Sequence, residues 1–419
     1  VRGWGVTLAG IVFFLAALIL GNRDLLTVAC LLVGLPLVAL MVVRRGRAEL
    51  DVARNFVPDV VAVGDPTQVT VTVTNRARRP VAASRCRDGD EGEWSGGSLP
   101  FPALARASGR GLGRVRGVIR YTVTPRQRGI HEVGPLIVHS GDGLGLVTWE
   151  RSYPGAQRLA VIPRVEDLSG DGANLGGSDG AIDRARLSLA GGTDDTLPRE
   201  YRPGDPMRRV HWRSTARHGD LMVRQDEEQS DPQCWVILDN RMSSHPDFER
   251  SGGRSSRRVV SAGFEWSVRL AASIAVHAQR EGYRARLVAT ADPTVLDAAA
   301  NDRGGTQSAH DALLEFASMN LLGGLTHGDY AHELEQVMRA SGGSRPVFAV
   351  FGSIDEDEAS RLARLGVLGR PATIFVMRSA PGVEQTLTRA GWRYITVSET
   401  DDIATVWQEV TARGSHVVH

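Results

Sequence analysis

Two runs without a single charge, Gly5 to Gly21 and Leu25 to Val43, open the chain. At a rise of about 1.5 Å per residue, each helix would cross or nearly cross a hydrocarbon core about 30 Å thick. Asn22, Arg23 and Asp24 separate the runs as a tight turn, so the pattern predicts a transmembrane helical hairpin over residues 1–47. Residues 5–43 would lie in the lipid bilayer, with Pro36 kinking the second helix. No small-residue cleavage site precedes the second run, which argues against a signal peptide. A buried pair of soluble helices is the alternative. Arg2 flanks the first run and Arg44, Arg45 and Arg47 follow the second, while the turn holds one arginine beside an aspartate. Excess basic charge marks the cytoplasmic side. The expected location is therefore the inner (plasma) membrane, multi-pass, with both termini and the soluble domains cytoplasmic.

After the hairpin the period changes to two. In QVTVTVTN, Val69, Val71 and Val73 alternate with Thr70, Thr72 and Thr74, the pattern of a half-buried strand, and Gly64-Asp65-Pro66 and Asn75 punctuate it as turns. Val118 to Val123, Leu136 to His139 and Leu159 to Ile162 are further strands. The segment from Cys86 to Gly113, rich in Gly, Arg and Ser, is expected to be a long loop. The reading is an all-β sandwich over residues 48–165. Ser169 to Gly180 reads SGDGANLGGSDG, a flexible composition, and 166–198 is taken as a linker.

Beyond it, CWVILD, RARLVAT, PVFAVF, ATIFVM and RYITV are short, largely apolar strands of the buried type, separated by helical stretches. Val259, Gly263, Trp266, Leu270 and Ile274 share one face of a helix that Gly282 closes. Leu334, Val337 and Met338 mark a second helix, and Ile403, Val406, Trp407 and Val410 a third. Such alternation predicts a Rossmann-type α/β domain over residues 199–419, its parallel sheet covered on both faces.

Where that domain begins, Asp205-Pro206 is a helix start, Asp as the cap and Pro in the first turn, and Gly219 is its stop. Arg209, Arg213 and Arg217 recur every four residues as a basic stripe, and Trp212 is expected to anchor the helix against a neighbour. Leu221 to Gln225 reads as a strand, followed by Asp226, Glu227 and Glu228. The stripe would either receive an acidic partner or ligand, or pair with that acidic run. Asp239 ends the next strand, and open α/β sheets bind ligands at the carboxyl ends of their strands.

Composition narrows the possibilities. The chain has 419 residues, a net charge of +1, 42% hydrophobic and 23% charged residues. Near-neutral charge and a membrane anchor speak against a nucleic-acid binder. No lysine occurs, so a Walker-type nucleotide hydrolase is excluded, and all 49 basic residues are arginine. Cys30, Cys86 and Cys234 are scattered and form no paired motif, so neither a disulfide framework nor a thiolate metal site is expected; Cys30 and Cys234 read as packed thiols.

The block Arg199, Tyr201, Gly204, Asp205, Arg208, Trp212, Ala216, Arg217, Leu221, Val223 and Asp239 resembles the family catalogued as domain of unknown function 58. Gly134-Pro135 and Asp142-Gly143-Leu144-Gly145-Leu146 fit a second element of that family. The resemblance implies two N-terminal spans, a β-rich region and a von Willebrand factor A-like domain. It also implies partnership with a MoxR-type AAA+ ATPase in the maturation of protein complexes or in cell-envelope processes, and no known reaction. A von Willebrand factor A domain holds Mg²⁺ on an Asp-x-Ser-x-Ser loop with a distal Thr and Asp. Here the loop is Asp239-Asn240-Arg241-Met242-Ser243, with Thr306 as candidate threonine and no carboxylate at Gly352-Ser353; Asp355 lies beyond. Arg241 brings no oxygen and repels a dication, so the Mg²⁺ site is degenerate and no cofactor is expected. Arg241 would instead mimic the cation and receive a partner's acidic side chain, or the strand end is merely structural. The function expected is a membrane-tethered protein-binding adaptor without catalysis, using Arg209, Arg213, Arg217, Asp239 and Arg241. The alternative is a hydrolase-like enzyme built on Asp205, His211 and Asp226.

Overall fold

The computed structural model describes residues 2–45, 49–77, 79–89, 97–106, 116–141, 144–168, 198–200, 212–224, 233–251, 258–291, 295–297, 305–323, 330–340 and 345–414. Its described residues form two compact units that divide between Pro163 and Arg164, two residues before the expected boundary.

The first unit opens with α1 (Arg2–Leu20) and α2 (Arg23–Arg45), both long and apolar enough to cross a membrane. They pack through small residues: Gly10 and Ala17, seven apart, are buried on α1, and Ala29 and Pro36 on α2. A side chain at Gly10 would meet Val33 Cγ2 at 2.8 Å, so glycine sets how closely the helices approach. Leu8, Leu15, Leu18, Leu31 and Val38 face outward. Cys30 is exposed on α2 and not packed as expected, whereas Cys234 is buried and its thiol is pushed well up by burial.

Ten strands follow. The first sheet has the antiparallel order β1-β3-β6, from β1 (Leu50–Val57), β3 (Thr67–Asn75) and β6 (Arg116–Val123). A second runs β5-β4-β8-β9, from β4 (Ser84–Asp88), β5 (Leu99–Phe101), β8 (Leu136–Gly141) and β9 (Thr148–Tyr153). A third, β2-β10-β7, joins β2 (Val60–Ala62), β7 (Gly129–Val133) and β10 (Gln157–Ile162). One core fills the space between them. Val69, Val71 and Val73 are wholly buried there with Cys86, Leu136 and Leu159, as the alternation required. The loop expected from Cys86 to Gly113 is corrected: β5 and part of β4 lie in it, and burial pushes the Cys86 thiol up to about 12. Polar composition hid two strands whose inward positions, Cys86, Leu99 and Phe101, are few and widely spaced.

This core contains a charge pair. Arg54 donates from Nε to Asp88 Oδ1 and Oδ2 at 3.1 and 3.0 Å, and its terminal nitrogens reach Asp88 and the Gly155 carbonyl. Tyr121 donates to Asp88 Oδ2 at 2.6 Å. Gly134, before a cis proline, has φ of +129°, and a Cβ there would lie 3.1 Å from Arg54 Cζ. The Gly-Pro step thus makes room for the guanidinium.

The second unit is an open α/β sheet. Its strands are β13 (Gln233–Leu238), β16 (Arg284–Ala289), β17 (Val295–Asp297), β18 (Arg345–Ile354), β19 (Gly369–Ser379) and β20 (Arg393–Thr396). They are ordered β17-β16-β13-β18-β19-β20, parallel except for the antiparallel edge strand β17. Numbered within the sheet this is 3-2-1-4-5-6, and the order reverses between β13 and β18. One apolar face is covered by α4 (Ala262–Arg280), α5 (Gly305–Ser318) and α9 (Ile403–Gly414). The other is covered by α6 (Tyr330–Ala340), α7 (Glu356–Gly366) and α8 (Val383–Arg389).

Two expectations change here. Val259 does not begin the α4 helix; it sits in a small hairpin of β14 (Glu249–Ser251) and β15 (Arg258–Val260), and Ser261 caps α4 by accepting from the Phe264 amide. Residues 166–168, read as the start of a linker, are packed against the second unit. Leu168 is buried in the core, Arg269 donates to Glu166 at 2.7 Å, and Arg280 meets Asp167 at 3.1 Å, which ties the start of the segment along α4. Its continuation through residue 197 lies outside the described residues.

Candidate functional site

Asp239 follows β13 at the point where the strand order reverses, and its amide donates to the Val350 carbonyl of β18 at 2.9 Å. The side chain is fully buried. Asn240 and Met242 then pair with the strand-like segment after α5, Leu322 to Asn240 at 2.9 Å and Met242 to Leu322 at 3.0 Å. This pinning turns the Arg241 side chain back over the strand end.

Arg241 closes a two-pronged bond on Asp239, Nε to Oδ1 at 2.7 Å and an Nη to Oδ2 at 2.9 Å. Thr290, the residue after β16, donates its hydroxyl to Oδ1 at 2.7 Å. The remaining guanidinium nitrogen contacts Glu358 Oε1, and Tyr330 donates to the same oxygen at 2.5 Å. The Tyr330 ring lies under the guanidinium, 4.7 Å from Cζ to ring centre, with Phe351 at 5.9 Å. His245 approaches the Asp239 carbonyl with Nε2 at 3.0 Å and stands edge-on to Phe264.

Burial is the largest influence on Asp239 and alone would raise its pKa. The Arg241 hydrogen bonds and charge, with His245 and Thr290, outweigh it and hold the carboxyl below its ordinary range. Glu358 goes the other way: burial, helped by the Asp239 charge, raises it despite Arg241 and Tyr330. The cluster thus holds one guanidinium between two carboxylates whose pKa values are moved in opposite directions. The side chains of Arg241 and Glu358 keep 13% and 11% of their exposure.

Glu358 is placed by its helix. Asp355 caps α7 by accepting from the Glu358 amide at 2.8 Å, so the fourth residue of the Asp355–Glu358 run sits in the first turn facing the strand ends. Gly352 has no carboxylate for a steric reason as well: a Cβ there would lie 2.3 Å from the Ser244 carbonyl. Beside the cluster a cleft of about 170 Å³ opens at the carboxyl ends of the strands, lined by residues that include His245, Asp247, Arg378 and Glu399. Asp247 is already engaged there, accepting from Ser261 Oγ and the Gly263 amide, which overcome burial and lower its pKa.

Of the residues named from sequence, Asp239 and Arg241 come together. Ser243 is exposed in a 3₁₀ turn (Met242–Ser244), and Thr306 lies in the first turn of α5. The nearby threonine is Thr290, and Arg241 receives Glu358 of its own chain. Mg²⁺ needs oxygen ligands in an octahedron, but both Asp239 oxygens already accept from donors and the cationic group between the carboxylates is a guanidinium. These residues do not fit a dication. Among the described residues no group of three His, Cys, Asp or Glu is arranged so that it could hold a metal ion.

The signature block is described in part. β11 (Pro198–Glu200), which holds Arg199, pairs with β12 (Met222–Arg224), which holds Val223. α3 (Trp212–His218) ends at Gly219, whose φ is +84°, and carries Arg213 and Arg217, the latter exposed. Trp212 does not anchor the helix; it is 66% exposed. Tyr201, Gly204, Asp205, Arg208, Arg209, His211 and Asp226 to Glu228 lie outside the described residues. Thr290, Tyr330, Glu358 and His245 were missed in the sequence. The only signals were a threonine closing a buried strand and an acidic helix start.

No curated protein matches the chain. Among solved structures, a CARDB domain from Pyrococcus furiosus, determined in complex with di-metal ions, is 17% identical at a TM-score of 0.19, covering 28% of this chain and 90% of that one. The Pseudomonas fluorescens alkylpurine DNA glycosylase AlkC is 13% identical at 0.16, covering 33% and 38%. A Paenibacillus cycloisomaltooligosaccharide glucanotransferase is 11% identical at 0.18, covering 79% and 53%. This chain thus spans well under two thirds of the last two. At such scores none carries an argument about fold or function. A family model does match, over residues 198–416, from β11 through α9. The chain belongs to the family described as protein of unknown function DUF58.

Proposed function

We propose that this protein is a membrane-tethered adaptor. Its α1–α2 hairpin holds a von Willebrand factor A-like domain in the cytoplasm, where it binds a MoxR-type AAA+ ATPase. One observation carries the reading: the carboxylate at the switch point of the sheet is engaged by Arg241 of the same chain. Sheets of this kind hold ligands at that point, and a nucleophile or general base there would need a free oxygen. Both Asp239 oxygens already accept hydrogen bonds from this chain and the carboxylate is fully buried, which supports reading the strand end as a fixed recognition surface. The 3-2-1-4-5-6 order with an antiparallel edge strand supports the domain assignment. On this reading Arg241, at the position of the loop's first serine, supplies the positive charge in place of a metal, and Glu358 of the same chain meets it. Basic residues on α3, with exposed Trp212 beside them, supply a second contact surface, since tryptophan and arginine dominate protein interfaces.

The test is capture of a MoxR-type ATPase by the full chain in lipid nanodiscs. The adaptor reading expects capture that Trp212→Ala with Arg217→Glu abolishes while the melting temperature is unchanged. Both residues are exposed, so the fold does not depend on them. Absence of capture by the unaltered protein would sink the reading.

A further inference from the structure

Residues 144–147, which lead into β9, take no part in the site above, yet they present an exposed apolar side chain. Leu144 is 65% exposed. Gly145 turns the chain with φ of +68°, a conformation glycine adopts at little cost. The next residue, Leu146, brings its carbonyl against the first turn of α1, where a Cβ on Gly3 would lie 2.1 Å from that oxygen. Glycine at position 3 is therefore what lets the loop close on the helix. Trp4, beside Gly3, is 83% exposed. On the strand that leaves the loop, Arg151 lies 5.8 Å from the Trp149 ring centre.

Single exposed leucines are ordinary on a protein surface. This one is distinguished by position. It sits two residues from a backbone contact with the end of α1, the end that α2 also returns to. If α1 and α2 span a bilayer, that end lies at the membrane–water boundary, where tryptophan is enriched and an apolar loop tip finds lipid instead of water. A protein ligand would have to approach Leu144 through the headgroup layer, so continuity with the spans selects lipid as the occupant.

We propose that residues 144–147 form a third membrane contact, with Leu144 inserted among the lipid chains and Trp4 beside it at the interface. The β-rich domain is then held against the bilayer surface at the start of α1 and does not swing from its connection after α2. The role also accounts for the Leu144-Gly145-Leu146 sequence, which the adaptor surface does not use. It rests on the reading of α1 and α2 as spans, and its test separates the two.

Full-length protein with Cys30→Ala leaves Cys86 and Cys234, both buried. Single cysteines are added by Leu144→Cys, by Leu15→Cys on the outer face of α1, and by Val57→Cys. Val57 is exposed at the far end of β1, about 25 Å of strand beyond Leu50. Each variant is labelled with bimane and reconstituted in phosphatidylcholine vesicles containing lipids brominated near the headgroup or deep in the chains. The expectation is quenching of position 144 by the shallow bromines, of position 15 by the deep ones, and of position 57 by neither. Quenching at 15 with position 144 as dark to bromine as position 57 overturns the loop contact and leaves the anchor intact. Loss of quenching at 15 overturns the anchor and this contact together.

Discussion

Among the described residues two arginine–aspartate pairs are buried, one in each unit, and they differ in what surrounds them. Arg54 and Asp88 have side chains at 0% exposure, and every remaining polar contact named for them is neutral: the Tyr121 hydroxyl and the Gly155 carbonyl. Their charges cancel, and the pair is sealed in the β-rich core. Arg241 and Asp239 make a similar fork, but Glu358 adds a second carboxylate and the group keeps an opening to solvent at the carboxyl ends of the strands. Tyrosine takes part in both, by its hydroxyl on the aspartate in the first and by its ring against the arginine in the second. The lesson is that a buried ion pair by itself says little about function. A surplus carboxylate and an opening to solvent at a strand end are what set the second pair apart from the sealed one.

The largest effects should come from removing either arginine. Arg54→Ala strands Asp88 in a core without water, and a buried charge left without its partner costs about 3–5 kcal/mol. Arg241→Ala strands Asp239 as completely, but Glu358 can take up a proton, and the loss should fall at the lower end of that range, about 3 kcal/mol. Urea unfolding of the two variants ranks them. Equal losses would erase the distinction drawn between a sealed and an open pair, and a loss below 1 kcal/mol at Arg241 would mean that Asp239 does not depend on its guanidinium.

The fold was largely legible because its signals are local. Alternation at Val69, Val71 and Val73 and the apolar runs at CWVILD and PVFAVF each need only neighbours in sequence to be read. Val259 misled because its spacing from Gly263 is helical, while Ser261 between them is the cap that ends the extended backbone. The site was legible only at its near half. Asp239 and Arg241 are two residues apart, but Thr290 reaches Asp239 from 51 residues away and Glu358 from beyond two further strands. Strand order brings them together, and strand order is not written in any window. Glu358 was the more elusive, since an acid in the first helical turn is already explained by the helix dipole.

Smaller changes sharpen the contrast through single hydroxyls. Tyr121→Phe and Thr290→Val each remove one donor to a buried aspartate while leaving its arginine in place. Hydrogen bonds to charged groups contribute about 1.5–3 kcal/mol, and both losses should lie near the bottom of that span because the ion pair persists. The double variant Thr290→Val with Arg241→Ala should cost more than the sum of its parts, since Asp239 would then have lost every named side-chain partner. Strict additivity in the melting data would contradict a shared carboxylate.

The smallest effect is the most discriminating, and it is a matter of pH. Asp239 has a lowered pKa in the folded chain, so its contribution is present above the unfolded value and disappears as pH falls through the folded one. Glu358 has a raised pKa, so its contribution is fully present below the unfolded value and is lost as pH rises through the folded one. Glu358→Gln keeps an acceptor for Tyr330 and removes the surplus charge. It should change stability by less than about 1 kcal/mol at low pH, and it should gain on the unaltered protein as pH climbs from the carboxylate range toward neutrality. Among the described residues no second carboxylate contacts Arg54 or Asp88, so no single Glu→Gln change should produce this slope in the β-rich unit. Unfolding midpoints measured at intervals across that range decide the matter. A flat difference between the Gln variant and the parent would mean that Glu358 titrates as it would in ordinary solvent and adds no surplus charge to the cluster.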